Sequence, residues 1–223
     1  MLTQFSFDND RSLANIIAAV VEAQGVSWEP YSFEQVFQDE LQRCLASGES
    51  LVSPSRKKAV RDMLRHGSYK PAGRAKPSSE YLLQAMLEGD FPRVNYFVDA
   101  ANLVSLAAGY PISIIDLDKA GSDLLLRRGK TGDAFIFNAG GQEINVTDLL
   151  CIYRKAGADW LPTANPVRDS MATKIFEGAR NLLAVIYAPE GSEGSDLPIA
   201  AEKLAGFLKA RARQVAAEIL KLE

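Results

Sequence analysis

The chain has 223 residues, enough for one large domain or two small, intimately packed ones with a sizeable buried core. Hydrophobic residues make up 47% of it and charged residues 24%, an ordinary balance for a globular protein, and no apolar run approaches the ~18 residues of a membrane span. The N-terminus lacks the basic start and apolar core of a signal peptide, and Cys44 and Cys151 form no CxxC motif. These features argue against a membrane, secreted or zinc-bound protein. They predict a cytoplasmic protein with two free, buried thiols.

The net charge of −3 is unevenly distributed. Residues 1–50 carry eight acidic side chains against two arginines, whereas residues 56–76 carry eight cations and a single carboxylate, Asp62. We call residues 56–76 the basic run. Two interpretations stay open: a solvated helix face and loop, or a patch that faces the phosphates of a nucleic acid. The cations of the basic run are Arg56, Lys57, Lys58, Arg61, Arg65, Lys70, Arg74 and Lys76.

The first predicted elements are two strands and a helix. Phe5–Asp8 alternates like an edge strand, and Ile16–Val21 favours a buried strand, although its alanines would equally suit a helix. Ser32 is expected to cap a helix that ends at Gly48. The apolar face predicted for this helix consists of Phe33, Val36, Phe37, Leu41, Cys44 and Leu45.

Two further helices flank a loop that is rich in glycine, proline and cations. Ser53 and Pro54 form a cap and first-turn signal for a helix through Leu64, which carries part of the basic run. Residues 66–76 form the loop, and Pro77 starts the next helix. The residues expected to face inward on that helix are Tyr81, Leu82, Ala85 and Met86.

Arg93 to Gly121 is the stretch around which the rest of the chain is expected to be organised. Gly109 and Pro111 should end its helix, and Ile112–Ile115 should form a short buried strand. The predicted apolar positions of the helix are Val94, Phe97, Val98, Ala101, Val104 and Leu106. The polar residues Asn95, Asp99 and Asn102 share another side at the same spacing. A helix with this stripe, followed by a strand, predicts one wall of a pocket.

After Gly121 the pattern changes to short strands, expected at Leu124–Arg127, Ala134–Phe137, Glu143–Val146, Leu149–Tyr153 and Leu182–Tyr187. Trp160, Pro162 and Pro166 predict a long loop before the last of these strands. Residues 191–196 are interpreted as a linker, and residues 197–223 as a C-terminal helix. The apolar stripe by which this helix would dock is Leu204, Leu208, Val215 and Ile219.

The residue types limit the possible chemistry. A lone histidine, His66, excludes HExxH metalloenzymes and most two-histidine mechanisms, and neither a P-loop nor a GxGxxG motif is present. Asp116 and Asp118 follow a strand and would either bind a cation or cap a turn. Ser170 and Lys174 have the spacing of a helical Ser-Lys dyad or form polar surface. We expect no cofactor and no metal.

A long ordered motif carries a family resemblance. It reads Asn95-x-x-Val98-Asp99-x-x-Asn102-x-x-x-Leu106-x-x-Gly109-x-Pro111, then Asp116-Leu-Asp118-Lys119-x-x-Gly121, with the Gly140-Gly-Gln-Glu143 turn and the Arg168-Asp-Ser-x-x-Thr-Lys-Ile segment further on. This pattern resembles the B3/B4 domain of the β subunit of bacterial phenylalanyl-tRNA synthetase over roughly residues 55–190. The resemblance implies an α+β fold of mixed sheet layers packed with helices. Residues 1–190 would form the domain, with two intimately packed subdomains.

The resemblance also implies a site. In the synthetase this domain hydrolyses the ester of tyrosine wrongly attached to the phenylalanine tRNA. Asn102 matches a pocket asparagine of the family, Asp169 falls about where the family has a pocket glutamate, and Ala101 and Ser113 stand in place of a threonine and a histidine. We therefore expect three catalytic residues to orient the ester and a water, namely Asn102, Ser113 and Asp169. The substrate-binding residues expected are Asn95, Thr173 and Lys174.

Three functions follow from these expectations. The first is a tRNA-associated module that hydrolyses the ester of a mischarged aminoacyl-tRNA in trans. The second is a non-catalytic module that binds tRNA or a free amino acid, and the third is a small-molecule enzyme unrelated to tRNA. If the partner is the tRNA acceptor end, Tyr69 is available for stacking. The RNA-binding cations would be Lys57, Lys58, Arg61, Arg65, Arg74 and Lys76.

Overall fold

The computed structural model describes residues 3–29, 33–192 and 196–222 and has a mixed α+β architecture, as predicted. The α-helices in these ranges are α1 (Glu34–Ser47), α2 (Pro54–Leu64), α3 (Ser78–Leu87), α4 (Tyr96–Ala108), α5 (Leu117–Ala120) and α6 (Asp196–Lys209). The strands are β1 (Gln4–Phe7), β2 (Ile16–Gln24), β3 (Ile112–Asp116), β4 (Asp123–Arg128), β5 (Ala134–Ile136), β6 (Glu143–Asn145), β7 (Leu150–Ala156), β8 (Asp159–Ala164), β9 (Asn181–Pro189) and β10 (Gln214–Lys221).

Two four-stranded sheets form the framework. The first has the order β1-β4-β7-β8, with β1 parallel to β4 and the other neighbours antiparallel. The second has the order β10-β2-β9-β3 and is antiparallel throughout, and β5 and β6 form a small separate sheet. The largest core cluster joins both four-stranded sheets to α2, α4 and α6. None of the helices in the described ranges combines the length and apolar character that a bilayer crossing requires.

The ambiguous segment that begins at Ile16 forms β2, a central strand. Its side chains from Ile16 to Ala23 are buried, so its continuous apolar run is that of a strand covered on both faces. Glu22 is the charged residue of this strand, and its Oε2 accepts a hydrogen bond from the Thr3 backbone N–H at 3.1 Å. The preference for a strand over a helix is confirmed.

The cap signals are also confirmed where the structure describes them. Ser53 Oγ accepts a hydrogen bond from the Arg56 backbone N–H at 3.1 Å and starts α2. Gly109 ends α4 with φ of 71°, a left-handed conformation that glycine adopts without steric cost. Ser32 and the middle of the 191–196 linker lie outside the described residues.

Some helix positions predicted to be buried are exposed. Val36 and Leu45 of α1 are 41% and 36% exposed, Tyr81 of α3 is 55% exposed, and Val94 precedes α4 and is 59% exposed. These helices bury a narrower stripe than their apolar residues would allow. Apolar atoms are common on protein surfaces, so periodicity alone overestimates the buried face.

The predicted long loop at Trp160 and Pro162 is wrong, because these residues belong to β8. This strand pairs with β7 and lies at the edge of its sheet, with a register shift between Ile152 and Tyr153. Proline lacks the N–H that an interior strand must donate on both sides, but an edge strand tolerates it. Pro162 therefore marks an edge rather than a loop, whereas Pro166 lies in the bend that follows β8.

The predicted C-terminal helix at residues 197–223 is correct only as far as Lys209. Val215 and Ile219 lie in β10, which pairs along the whole of β2. Alanine-rich sequence favours a helix locally, but β2 would otherwise leave a row of backbone groups without partners. The turn before β10 is held by the Arg211 guanidinium, which donates to the Ser27 carbonyl at 2.8 Å.

Candidate functional site

Two of the three predicted catalytic residues lie side by side. Ser113 is in β3, and Asp169 follows β8, where it forms an isolated antiparallel bridge with Ala164. The Ile114 backbone N–H donates to Asp169 Oδ2 at 3.2 Å, which fixes the carboxylate beside the Ser113 strand. Ser113 itself is 1% exposed. The strand edge therefore places a hydroxyl and a carboxylate together.

A buried tyrosine completes this arrangement. The Tyr187 hydroxyl, in β9, donates to Ser113 Oγ at 3.0 Å, and Ser113 Oγ donates to the Asn165 carbonyl at 3.1 Å. Burial raises the pKa of Tyr187 well above its ordinary value, and the nearby Asp169 carboxylate raises it further. The phenol thus keeps its proton and acts as a hydrogen-bond donor. We call Ser113, Asn165, Asp169 and Tyr187 the polar cluster.

The electrostatics of Asp169 set it apart from an ordinary surface acid. Its Oδ1 is buried and has no hydrogen-bond partner among the described residues. Burial raises the pKa of Asp169 to about 7, although the Ser113 hydroxyl, the Ile114 N–H and the positive charge of Lys174 all oppose this rise. A carboxyl group with such a pKa exchanges a proton near neutral pH.

Asn102 is not connected to the polar cluster by a hydrogen bond. It lies on α4, is partly buried, and its side chain forms no hydrogen bond to the described part of the chain. The helix carrying it ends at Gly109, directly before the strand that carries Ser113. Its role in the site stays a prediction.

The three predicted substrate-binding residues have different environments. Asn95 is the cap of α4, and its Oδ1 accepts from the backbone N–H groups of Phe97 and Val98, both at 3.1 Å. Thr173 is completely buried, with its Oγ1 2.8 Å from Thr163 Oγ1. Lys174 is partly exposed and contributes positive charge near Asp169.

Asn95 also lines a cleft of about 470 Å³ at the start of α4. Trp28, Arg93 and Tyr96 are among the other residues that line this cleft. Asp99, beside this cleft, is a structural residue: its Oδ1 accepts from the Val94 N–H at 2.8 Å and its Oδ2 from Arg93 Nε at 2.9 Å. Neither Ser113 nor Asp169 lines this cleft.

The residues considered as a cation site or as a Ser-Lys dyad form local structural contacts instead. Asp116 Oδ1 caps α5 by accepting from the Asp118 N–H at 3.0 Å, and Asp118 accepts from the Arg180 N–H at 2.7 Å. Ser170 caps a single 3₁₀ turn, Met171–Thr173, rather than an α-helix. The helical geometry of a Ser-Lys dyad is therefore absent at this position.

The basic run is partly neutralised by ion pairs. Lys58 and Arg65 share Asp62, at 2.5 and 2.7 Å, and Arg61 forms a two-pronged pair with Glu80. Lys76 Nζ donates to the side chain of Gln84. Within the described residues, Lys57, Lys70 and Arg74 form no ion pair. The run thus presents fewer free charges than its composition indicates.

The aromatic residue in the basic run is not free. Tyr69 packs against the apolar cluster of Phe135, Val146, Leu149, Cys151 and Tyr153, and its hydroxyl donates to the Ala75 carbonyl at 2.5 Å. Burial raises the pKa of this phenol. Tyr69 therefore holds the loop onto the domain, and stacking on a base would require its release.

Sequence reasoning missed Tyr187 and Asn165. Tyr187 lies in an apolar strand, where an aromatic side chain is expected to be core. Asn165 lies between two predicted loop prolines, and its Oδ1 accepts from the N–H groups of Val167 and Arg168 at 2.9 and 2.8 Å. A polar tip on a strand otherwise made of aliphatic residues is the signal that could have identified Tyr187.

Comparison with known proteins places these features in a family. A family model described as the B3/4 domain matches residues 70–193. Among solved structures, an N-terminal fragment of the phenylalanyl-tRNA synthetase β-subunit from Pyrococcus horikoshii aligns with a TM-score of 0.45 and 10% sequence identity, covering 97% of this chain and 50% of that one. This chain thus spans about half the length of that structure, and no curated protein matches significantly.

The family model includes β3, the segment around Asp169 and Tyr187. It therefore covers the whole polar cluster as well as α4. Because it matches more than half of the chain, the protein belongs to the B3/4 domain family.

Proposed function

We propose that this protein is a tRNA-associated B3/4 module that hydrolyses the ester of a mischarged aminoacyl-tRNA in trans. The observation that carries the proposal is the carboxyl group of Asp169, which has a buried, unpartnered Oδ1 and a pKa of about 7. Near neutral pH such a group can take a proton from a water and return it to a leaving hydroxyl. The buried free thiols of Cys44 and Cys151 support a reducing cytoplasmic location.

The chemistry requires only modest assistance from the protein. An aminoacyl ester is an activated bond, so orienting a water beside it is the main task. Asp169 would accept the proton of that water, and the Ser113 hydroxyl, which is oriented by Tyr187, would position the substrate. Asn102 would contact the aminoacyl group from α4, while Lys174 would raise the local positive potential for the RNA end.

The unpaired cations of the basic run would hold the tRNA. Lys57 lies on α2, and Arg74 lies in the exposed loop before α3. Cations that are free of carboxylates release phosphate counterions on binding, whereas paired ones must first lose a partner. Lys57 and Arg74 should therefore contribute more than Lys58 and Arg65.

A second candidate is a module that binds tRNA or an amino acid without turnover. It is supported by the hydrogen bonds that already occupy Ser113, on one side from Tyr187 and on the other to Asn165. It is also supported by the burial of Thr173, which removes one predicted substrate contact. On this candidate, Asp169 binds the ammonium group of the amino acid and transfers no proton.

One experiment separates the two. A panel of mischarged aminoacyl-tRNAs is incubated with the protein, with Asp169→Asn and with Asp90→Asn, and loss of the ester is followed over time. Asp90 is an exposed carboxylate whose side chain has no partner among the described residues, so it is the matched control. Hydrolysis that Asp169→Asn abolishes supports the enzyme. Equal ester loss in all three, at the protein-free rate, contradicts the enzyme and favours the binding module over it.

A further inference from the structure

Arg127 and Arg128 are adjacent on β4 and equally buried, each 8% exposed, but they differ in hydrogen bonding. Alternation along the strand turns them to opposite faces of the sheet. The Arg128 guanidinium donates to the carbonyls of Leu64, Met63 and Ser12 at 2.9 to 3.2 Å. The Arg127 guanidinium donates no hydrogen bond to the described part of the chain, whereas the Nε atoms of both arginines are buried without a partner.

The neighbours of Arg127 only partly compensate its charge. Its guanidinium carbon lies 3.8 Å from the ring centroid of Tyr153, and its nearest carboxylate oxygen, Asp133 Oδ2, is 3.8 Å from Nη2. That oxygen already accepts from the Tyr153 hydroxyl at 2.5 Å and from the Lys130 N–H at 2.9 Å. A buried guanidinium is normally hydrogen-bonded, since leaving its donors unused is costly. The hydrogen-bond donors of Arg127 are therefore free to bind a group from outside the protein.

Arg127 lines an open cleft of about 450 Å³. The other polar or aromatic walls are Lys130, Asp159 and Trp160. Lys130 is exposed and forms no ion pair within the described residues. Trp160 is half-buried, and its indole N–H forms no hydrogen bond there either. The cleft therefore combines two cations with a flat aromatic surface, against a single carboxylate on the described lining.

We propose that this cleft binds a nucleotide, with the phosphate on Arg127 and Lys130 and the base stacked on Trp160. The planar guanidinium fork matches two phosphate oxygens, and a buried guanidinium does so with little loss of side-chain freedom. An indole face is a sequence-tolerant platform for a base. Asp159 at the rim disfavours a second phosphate at that point, so a monophosphate fits the charge of the lining better than a triphosphate.

The ligand is either a free nucleotide or one nucleotide of an RNA strand. Trp160 and Tyr69 pack against the same apolar cluster, so one lining residue of the cleft and the aromatic residue of the basic run share a core. This proximity favours an RNA strand that continues from the run into the cleft, and that part of the inference rests on the proposed function. On this account Trp160 supplies the stacking that the packing of Tyr69 prevents.

The fluorescence of Trp160 reports ligand binding at the cleft once the other tryptophan is removed. In a Trp28→Phe background, 5′-AMP, a short single-stranded oligoadenylate and inorganic phosphate are titrated while Trp160 fluorescence is followed. We expect saturable quenching by one or both adenine ligands. Arg127→Gln and Lys130→Glu should each weaken this binding by about tenfold or more. Lys221→Gln, an exposed cation on β10 of the other sheet, should leave it unchanged.

Each outcome distinguishes a ligand source or overturns the inference. Quenching by 5′-AMP and by the strand supports a site for any nucleotide, and quenching by the strand alone supports RNA. No quenching, or quenching that neither variant weakens, overturns the inference. Lys130 is exposed, so Lys130→Glu remains informative if Arg127→Gln misfolds, which circular dichroism would reveal.

The test is independent of ester hydrolysis. If Asp169→Asn has no effect on the ester but the cleft still binds a nucleotide, the proposed enzyme fails and the nucleotide site stands. If hydrolysis depends on Asp169 but no nucleotide binds the cleft, the reverse holds.

Discussion

The Tyr187 hydroxyl lies 3.0 Å from Ser113 Oγ and donates a hydrogen bond to it, from a side chain that is itself completely buried. This bond fixes one lone pair of the Ser113 hydroxyl and leaves its proton to the Asn165 carbonyl or, after a rotation, to Asp169. Tyr187 thus orients the serine that the family resemblance assigned to the site.

Replacing Tyr187 by phenylalanine tests this orientation. We expect Tyr187→Phe to lower the free energy of unfolding by about 1 kcal/mol, since one buried hydrogen bond is lost. The matched control is Tyr110→Phe, which removes an equally buried hydroxyl; this hydroxyl lies near the Ser192 side chain but forms no hydrogen bond within the described residues. This control should be neutral or slightly stabilising. Equal losses for both variants in denaturant titrations would contradict a specific Tyr187–Ser113 bond.

The raised pKa of Asp169 predicts a pH dependence of stability. Because the folded protein holds this proton more tightly than the unfolded chain, the stabilisation is complete below about pH 4 and is lost as pH rises through about 7. The group therefore makes the fold less stable at about pH 8 than at about pH 5. Asp169→Asn cannot titrate and should flatten this part of the profile, measured by chemical denaturation. A profile that Asp169→Asn leaves unchanged would show that Asp169 titrates like a solvent-exposed acid.

The ion pairs of the basic run rank its cations for tRNA binding. Arg74→Glu should weaken binding and reduce the salt dependence by about one counterion, because Arg74 has no carboxylate partner among the described residues. Asp62→Asn should strengthen binding, because it frees Lys58 and Arg65. Filter binding or fluorescence anisotropy at several salt concentrations measures both. Binding that is insensitive to salt, or weakened by Asp62→Asn, would exclude the basic run as the RNA surface.

The two arginines of β4 should differ in what they stabilise. Arg128→Gln leaves three carbonyls with fewer donors, so we expect a loss of about 2 to 4 kcal/mol in the free energy of unfolding. Arg127→Gln breaks no hydrogen bond within the described residues and should cost clearly less. Denaturant titrations of the two variants provide the comparison. The opposite ranking would mean that Arg127 is itself a structural residue.

Most of the fold was predictable from local pattern. Buried strands such as β2 and β9 are continuous apolar runs, and α2 begins at a Ser53-Pro54 signal whose capping bond is present. The errors lie where pairing partners distant in sequence decide the structure. Residues 214–221 prefer a helix locally but complete a sheet beside β2, and Pro162 lies on a sheet edge that the sequence does not reveal.

The site was predictable only in part. The family resemblance identified Ser113 and Asp169, which lie side by side in the structure. The hydrogen bonds that hold them there connect residues more than 50 positions apart in the chain. No local pattern identifies Tyr187 as their partner. Likewise, the number of cations in the basic run follows from the sequence. The sequence could not show that Lys58 and Arg65 share Asp62 or that Tyr69 packs against an apolar cluster.

The most direct test of the account is the pH dependence of single-turnover ester hydrolysis on a mischarged aminoacyl-tRNA. After subtraction of the protein-free rate, the rate should rise as Asp169 ionises through about pH 7. Asp169→Asn should lower it by about 100-fold or more and remove that inflection, while Asp90→Asn should match the unmodified protein. A rate that is the same for Asp169→Asn and Asp90→Asn across the pH range would contradict the assignment of Asp169 as the group that moves the proton.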